Sequence, residues 1–252
     1  MPTYEWTESK YCVDGPLIRA SKNQDELPRS SRIVADLVGE FYSMEIPKRV
    51  SGDLADLGCG KAPLLGAYRH RCASFLLADW DHSPHANPLP HVSVNLNEPL
   101  KSFNTNTFDV VILSDVLEHI REPQRLMCEI SRILKPGGYL LLNVPFAYRI
   151  HEAPHDYYRY TRFALERFVQ QSEMEVVKLV PLGGWIEVMA DQWCKLLAYA
   201  RMPLLVVLIH RIAIAFHRTA LGRRLSARGG EALPLGYGLV ARKPKAAKFA
   251  GD

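Results

Sequence analysis

The sequence predicts an α/β fold: a doubly wound, mostly parallel sheet of seven strands, with a helical insertion before the last strand. Three observations carry that prediction. Short apolar runs alternate with helical patterns, the rhythm of right-handed βαβ units that build a parallel sheet. The segment Phe108–Leu113 is rich enough in apolar residues to be a strand buried on both faces. A glycine turn, Gly58-Cys59-Gly60, follows directly on the first expected sheet strand.

The 252 residues are 48% hydrophobic and 23% charged, an ordinary globular balance. That length suits one large domain, or a domain with an insertion, and can bury a core without disulfide or metal staples. The five cysteines (Cys12, Cys59, Cys72, Cys128 and Cys194) are scattered, odd in number and form no metal-spaced pair. A reducing cytoplasm is the natural compartment for such usage. The stretch Met1–Trp6 is polar and lacks the apolar core of a signal peptide. A net charge of +4 does not by itself argue for nucleic acid. No internal repeat is visible, which disfavours a solenoid.

Residues 1–27 are polar without periodicity and read as an N-terminal arm or lid, leaving 28–252 as the domain proper. Ile33, Val34, Leu37, Val38 and Phe41 recur at helical spacing over Ser31–Tyr42, and Pro47 follows. Strands are expected at Asp53–Leu57, Ser74–Ala78 and His91–Val94, with a helix from about Pro63 to Arg71. Beyond Phe108–Leu113 comes a helix over Leu126–Leu134, stopped by Lys135-Pro136-Gly137-Gly138, then the buried strand Tyr139–Val144. A helix near Phe163–Gln171, a strand at Glu175–Leu182, a basic insertion over about 185–231 and a strand at Leu235–Ala241 complete the order.

The glycine turn has two readings. It is either a tight strand-to-helix connection or a place where backbone passes close to a ligand at the carboxyl end of a strand. Asp79, about twenty residues later at the end of the second strand, is suited to accept hydrogen bonds from ribose hydroxyls. The pairing favours an adenosine-containing cofactor.

Asp56-Leu-Gly-Cys-Gly resembles the first motif of class I methyltransferases. Phe108-Asp-Val-Val-Ile-Leu-Ser-Asp-Val-Leu-Glu-His-Ile resembles their fourth-strand motif, and Ile130-Ser-Arg-Ile-Leu-Lys-Pro-Gly-Gly-Tyr-Leu-Leu-Leu-Asn-Val-Pro the helix and strand that follow. The resemblance spans roughly residues 50–150 and implies a Rossmann-like fold that binds S-adenosyl-L-methionine. It implies cofactor contacts at Asp56, Gly58, Cys59, Gly60, Asp79, Trp80, Asn95, Leu96, Ser114 and Asp115. Two positions depart from the pattern. Ala62 stands where many members carry a third glycine, and Asn95 where many carry an acid; an amide oxygen can still accept a hydrogen bond. A nicotinamide dinucleotide is the runner-up, disfavoured because Lys61-Ala62-Pro63 replaces the third glycine that a pyrophosphate needs.

His151-Glu152-Ala153-Pro154-His155 matches H-E-x-x-H literally, but that zinc motif needs a helix and Pro154 falls between the histidines. No metal is expected. The surrounding stretch resembles a methyltransferase subgroup with H-x-x-P-x-D-Y-x-R-Y-T, many members of which look like partners in polysaccharide or natural-product pathways. That resemblance makes the loop an acceptor pocket, with Tyr148, Asp156, Tyr157, Tyr158 and Arg159 as contacts. A loop knitted by Asp156–Arg159 hydrogen bonds is the competing reading of those residues.

Methyl transfer is an in-line displacement in which positioning matters greatly. An oxygen acceptor of high pKa also needs a base, for which His119, His151 and His155 are the candidates. Between Asp191 and Glu231 there is no acid, while Lys195, Arg201, Arg211, Arg218, Arg223, Arg224 and Arg228 all fall inside. The apolar run Met202–His210 among them is shorter than the ~20 residues a span requires. A helical cover over the acceptor site competes with an amphipathic surface, over 192–230, resting on anionic lipid at the inner face of a membrane. Nucleic acid is disfavoured, since the cations are interleaved with aliphatic rather than stacking side chains.

The expected function is therefore methyl transfer to a small acceptor, most plausibly a hydroxyl of a sugar or natural product. A non-catalytic cofactor-binding regulator and a methyltransferase of RNA or protein are the alternatives. The oligomeric state is left open.

Overall fold

The computed structural model describes residues 6–83 and 92–245. Its N-terminal segment departs from the expected arm: β1 (Tyr11–Asp14) and β2 (Leu17–Ala20) pair as an antiparallel hairpin. The hairpin lies on α1 (Arg32–Arg49), where the Ile18 N–H donates to Ser43 Oγ at 2.7 Å and the Ala20 N–H to Asp36 Oδ1 at 3.0 Å. Gly39 permits the approach, because a Cβ there would stand 2.6 Å from the Ile18 carbonyl oxygen. Strands of four residues are too short for a period to show in the sequence. Helix α1 also runs past Pro47. The proline sits in the last turn, where one backbone bond is lost, and the Val50 N–H still closes on Ile46 O at 3.0 Å.

Five elements follow in the expected order: β3 (Asp53–Leu57), α2 (Leu65–Tyr68), β4 (Ser74–Asp79), β5 (Val92–Ser93) and β6 (Phe108–Ser114). Helix α2 is shorter than its predicted range, which contains Pro63 and Gly66, both poor helix formers. His91, expected to open the third sheet strand, lies outside the described residues. Helix α3 (Pro123–Ile133) starts a turn early because proline is well accommodated at a first helical position. Lys135–Gly138 do not end in a separate turn. They lie inside β7 (Leu134–Pro145), where the register with β6 jumps between the Phe108–Leu134 and Val110–Tyr139 pairs. Then come α4 (Arg162–Gln171), begun by a Thr161 cap on the Ala164 N–H, and β8 (Glu175–Leu182). The insertion is three helices, α5 (Trp185–Tyr199), α6 (Pro203–His217) and α7 (Ala220–Gly230), before β9 (Gly236–Arg242).

The seven-stranded sheet has the order β5-β4-β3-β6-β7-β9-β8. Neighbours from β5 through β7 are parallel, and β9 is antiparallel to both strands it separates. Alternate residues of the central strands face opposite layers. Leu54, Val110 and Ile112 join Phe41 and Tyr42 of α1 in one core. Ala55, Leu57, Val111 and Leu113 join Ile130 of α3 and Val169 of α4 in the other. Each fully buried Leu, Ile or Val stabilises by about 1.5–3 kcal/mol, so this double-sided sheet is a rigid platform. The loops at the carboxyl ends of β3, β4, β6 and β7 stand on it, where open α/β sheets bind ligands.

Candidate active site

The turn after β3 folds back over the end of β4. Gly58 and Cys59 donate their N–H groups to Ala78 O at 2.8 and 3.2 Å. Gly58 has φ +67°, and a Cβ on it would meet Val116 Cγ2 at 2.6 Å, so the turn packs directly against the loop that leaves β6. Asp79, almost buried, receives the Gly60 N–H at 3.1 Å and the Trp80 N–H at 2.8 Å. A carboxylate has about four lone-pair sites, so those two bonds alone do not exhaust it for ribose hydroxyls. Ala62 adopts φ +49°, the left-handed conformation that the missing third glycine would favour. Its carbonyl accepts the Trp6 indole N–H at 3.0 Å, which brings the N-terminal segment over the turn.

The expected cofactor contacts divide into two groups. Gly58, Gly60, Asp79 and Trp80 line the turn and the end of β4. Asp56 lies below them, buried, and receives the Tyr68 hydroxyl at 2.8 Å. Burial, helped by the charge of Asp79, pushes its carboxyl up to about 7 against the opposing Tyr68 hydrogen bond. Cys59 is likewise buried, and burial pushes its thiol up. Leu96 packs into the core on the α3 side. Asn95 follows β5, and its amide oxygen accepts the Asn97 N–H at 3.0 Å, an Asx turn that fixes the side chain.

Ser114 and Asp115 belong to a polar network at the ends of β6 and β7. Ser114 Oγ and the Tyr42 hydroxyl donate to the buried Asn143 Oδ1 at 2.8 and 3.0 Å, and Asn143 Nδ2 donates to Asp115 Oδ1 at 2.6 Å. Asp115 also holds the Lys10 ammonium at 2.6 Å. Burial alone would lower Lys10, but Asp115 outweighs it and keeps the ammonium above the ordinary lysine range.

Beyond this network, three groups converge. Glu118 is fully buried, and neither carboxylate oxygen has a hydrogen-bond partner among the described residues. His119 Nε2 stands 3.7 Å and His151 Nε2 3.6 Å from Glu118 Oε1, with the two rings 4.8 Å apart. His119 Nδ1 lies 2.9 Å from His155 O. A carbonyl only accepts, so Nδ1 carries a proton and, in the neutral ring, Nε2 is the accepting nitrogen. His151 has Asp156 Oδ2 at 3.2 Å on its other side. Burial lowers the His151 imidazole, but Glu118 and then Asp156 and Glu152 outweigh it, holding it above its ordinary value. Glu118 moves up, chiefly by burial, with the His151 contact opposing.

The 151–155 segment forms no helix, so His151 and His155 do not share a face. His151 groups instead with Glu118 and His119, the three offering ligand-type atoms within 4.8 Å of one another. The exposed His155 sits at the rim, its Nδ1 3.1 Å from the Tyr157 hydroxyl and its ring 5.8 Å from Trp80. Trp80 thus joins the two sides of the crevice.

The acceptor-loop residues also divide. Asp156 and Arg159 form a two-pronged pair at 2.6 and 2.8 Å, and Arg159 further donates to Arg149 O at 3.0 Å. That is the knitted loop, and Asp156 is held well down, to about 2, by Arg159 and the His151 N–H against its own burial. Tyr158 turns away from the histidines: its hydroxyl donates to Arg121 O at 3.0 Å and its ring lines a groove with Pro123 and Phe168. The rim keeps Tyr157, half-exposed, and Tyr148, whose hydroxyl lies 3.1 Å from Ser31 Oγ.

Several residues were missed by sequence reasoning. Lys10 comes from the N-terminal hairpin region, Asn143 from β7, and Asp191 and Lys195 from α5. Lys195 hydrogen-bonds the buried Asp191 and stands 4.2 Å from the Tyr148 ring centre, while Gln192 reaches Ala147 O at 3.4 Å. The i, i+4 spacing of Asp191 and Lys195 was a readable signal. The partnership of Lys10 with Asp115 across 105 residues was not.

Residues 55–142 match the methyltransferase domain family. Over that stretch the sequence is similar to methyltransferase domains. A ubiquinone biosynthesis O-methyltransferase from Nitrosococcus oceani is 27% identical over 151 residues, covering 53% of this chain and 59% of that relative's length. Among solved structures, a SAM-dependent methyltransferase from Archaeoglobus fulgidus superposes with a TM-score of 0.54 at 16% identity, covering 82% of this chain and 94% of its own. The cyclase SpnF gives 0.52 at 18% identity, covering 95% and 88%. Likeness at these identities speaks for the fold alone, and a cyclase on the same methyltransferase fold leaves the reaction to the site.

Proposed function

We propose that the protein is an S-adenosylmethionine-dependent methyltransferase acting on a hydroxyl of a small acceptor, a sugar or related natural product. The observation that carries the oxygen acceptor is His119. Its Nδ1–H is committed to a carbonyl, and its Nε2, turned toward a buried carboxylate, has no hydrogen-bond partner among the described residues. The name of the Nitrosococcus relative supports the same atom. When bound, S-adenosylmethionine supplies an electrophilic methyl group. The turn at Gly58–Gly60 and the Asp79 carboxylate hold the nucleoside, with Asn95 available at the end of β5. His119 Nε2 is the nitrogen that would take the acceptor proton, its Nδ1–H held by His155 O, and Glu118, 3.7 Å from the same Nε2, favours the imidazolium that results. His151, its imidazole raised above its ordinary value by Glu118 and Asp156, faces the same crevice and favours negative charge on the acceptor oxygen. Tyr148, Tyr157 and Lys195 wall the mouth.

Calorimetry with S-adenosylhomocysteine and a screen of methyl transfer to glycans and phenolic natural products test this reading. Binding with turnover on a hydroxylated acceptor is expected, and turnover should survive a chelator. Tight binding of NAD without response to S-adenosylhomocysteine would overturn the cofactor. Loss of rate on chelation, restored by a divalent cation, would reassign Glu118, His119 and His151 as metal ligands. Cofactor binding without turnover on any acceptor would favour the regulatory alternative.

A further inference from the structure

Surface helices turn leucines inward and charges outward, but α5, α6 and α7 leave large apolar side chains exposed beside their charges. On α6 the two histidines face the domain: His210 Nε2 meets Asp36 of α1 at 2.7 Å, and His217 meets Glu187 of α5 at 2.8 Å and Glu40 of α1 at 3.4 Å. Val206, Ala213 and Ile214 pack inward, and a second aliphatic stripe faces out. Leu204, Leu208 and Ile212, spaced i, i+4, i+8, are 82%, 51% and 60% exposed. On α5 the stripe Trp185, Met189 and Trp193 has the same spacing and is at least half exposed, while Val188, Asp191 and Cys194 are buried behind it. Leu221 and Leu225 of α7 extend the apolar face. A continuous exposed surface of this kind marks an interaction site.

The charge around it identifies the partner. Arg201, Arg211, Arg224 and Arg228 are exposed and form no ion pair among the described residues, and no acid occurs between Asp191 and Glu231. Two copies meeting face to face across a two-fold would set these arginines against each other with no compensating carboxylate. An anionic lipid surface compensates them. Tryptophan, aliphatic side chains and arginine on one face are the composition of helices that lie in the headgroup region. Among the described residues no single helix is long and apolar enough to cross a membrane, and α6 and α7, long and apolar enough only as a pair, are bent by 96°. The geometry therefore suits lying on the bilayer and not spanning it.

We infer that the α5–α7 face docks on the surface of an anionic bilayer. The same α5 that carries Trp185 and Trp193 outward presents Gln192 and Lys195 inward to Ala147 and Tyr148 of the acceptor loop. Docking thus brings the acceptor mouth to the lipid surface. Resting on the methyltransferase reading above, it makes the acceptor an amphiphile drawn from the membrane.

The test is flotation of the full chain with vesicles of phosphatidylglycerol and phosphatidylcholine, against phosphatidylcholine alone, at low and high salt. Wild type should float with the anionic vesicles at low salt, and binding should fall by about tenfold or more at high salt or without phosphatidylglycerol. Tryptophan emission should shift to the blue on binding. Leu204→Ser with Leu208→Ser, and separately Arg211→Glu with Arg224→Glu and Arg228→Glu, should abolish flotation while leaving the thermal midpoint and S-adenosylhomocysteine affinity unchanged. Wild type that ignores anionic vesicles overturns the inference, and light scattering that finds a dimer broken by the leucine pair would name a second copy as the occupant. Variants that float as well as wild type overturn it too. Flotation without S-adenosylhomocysteine binding would sink the methyltransferase reading and leave the docking surface standing.

Discussion

On one side of the crevice, Gly58, Gly60 and Asp79 come from a single βαβ unit and act largely through backbone geometry. On the other, Lys10, Glu118, His151 and Lys195 come from four separate segments and act through side chains whose charges balance one another. The two sides meet at Trp80 and His155. The first is a local construction on a rigid sheet, demanding particular φ values and, among side chains, chiefly the Asp79 carboxylate. The second is a tertiary construction, in which backbone is free to vary but loss of one charge leaves its partners buried and uncompensated.

The largest expected effect breaks the second side without touching the first. His119→Ala should lower the methyl-transfer rate by about 10²–10⁴-fold, the usual contribution of a positioned base. Affinity for S-adenosylhomocysteine should stay at the wild-type value, since Asp79 and the glycine turn are untouched. Rate measurements on the acceptor found by screening, with calorimetry alongside, check both halves. A variant within twofold of wild type in rate would remove His119 from the chemistry.

The converse experiment is Asp79→Ala. Each charge-assisted hydrogen bond lost to the ribose should cost about 1.5–3 kcal/mol of cofactor affinity. Gly60 and Trp80 also lose their acceptor, so the turn itself should loosen. Calorimetry that finds unchanged affinity would place the nucleoside elsewhere on the sheet edge.

The two sides also differ in how far the sequence disclosed them. Asp56-Leu-Gly-Cys-Gly, Asp79 and the β6 run each sit on a short local motif whose spacing follows from strand and turn geometry, so the parallel sheet could be read directly and the same motifs raised the expectation of a cofactor there. The hairpin at Tyr11–Ala20 could not, because four-residue strands carry no period and Gly39 announces nothing until Ile18 stands against it. Glu118 reads as an ordinary loop acid until His151 is brought opposite. The H-E-x-x-H match, set aside because Pro154 breaks the helix it needs, gave no sign of where His151 goes, which is beside Glu118 and His119. Asp156 and Arg159 left two readings open, and their mutual pairing made them scaffold.

A third prediction concerns how the acceptor side is fastened to the domain. His217 of α6 is raised to about 9, chiefly by Glu187 and then Glu40, with Arg218 and Arg223 beyond Glu40. A folded value above the unfolded 6.5 means the imidazolium pair contributes fully below about pH 6.5 and is lost as pH rises through 9. The span corresponds to about 3 kcal/mol at most, reduced in practice by coupling to the two carboxylates. Thermal unfolding followed from pH 6 to 10 should lose stability across that window. His217→Gln should flatten that part of the slope, and a variant with the wild-type slope would release the histidine from this role.

The smallest effect sharpens the account of the cofactor side. Ala62 holds φ +49° in the same turn in which Gly58 holds +67°. A left-handed alanine costs about 1–2 kcal/mol, so Ala62→Gly relieves strain. The replacement also frees the unfolded chain by roughly 0.4–1 kcal/mol and removes a fully buried methyl group. Those terms nearly cancel, and stability should move by less than about 1 kcal/mol, with cofactor affinity unchanged. Gly58→Ala adds instead a methyl 2.6 Å from Val116 at an angle alanine disfavours, and should weaken both stability and S-adenosylhomocysteine binding. Paired calorimetric and thermal measurements on the two variants decide whether backbone conformation governs this side. If Ala62→Gly tightened the cofactor strongly, the departure at position 62 would be a restraint on binding, and the turn would no longer count as a purely local construction.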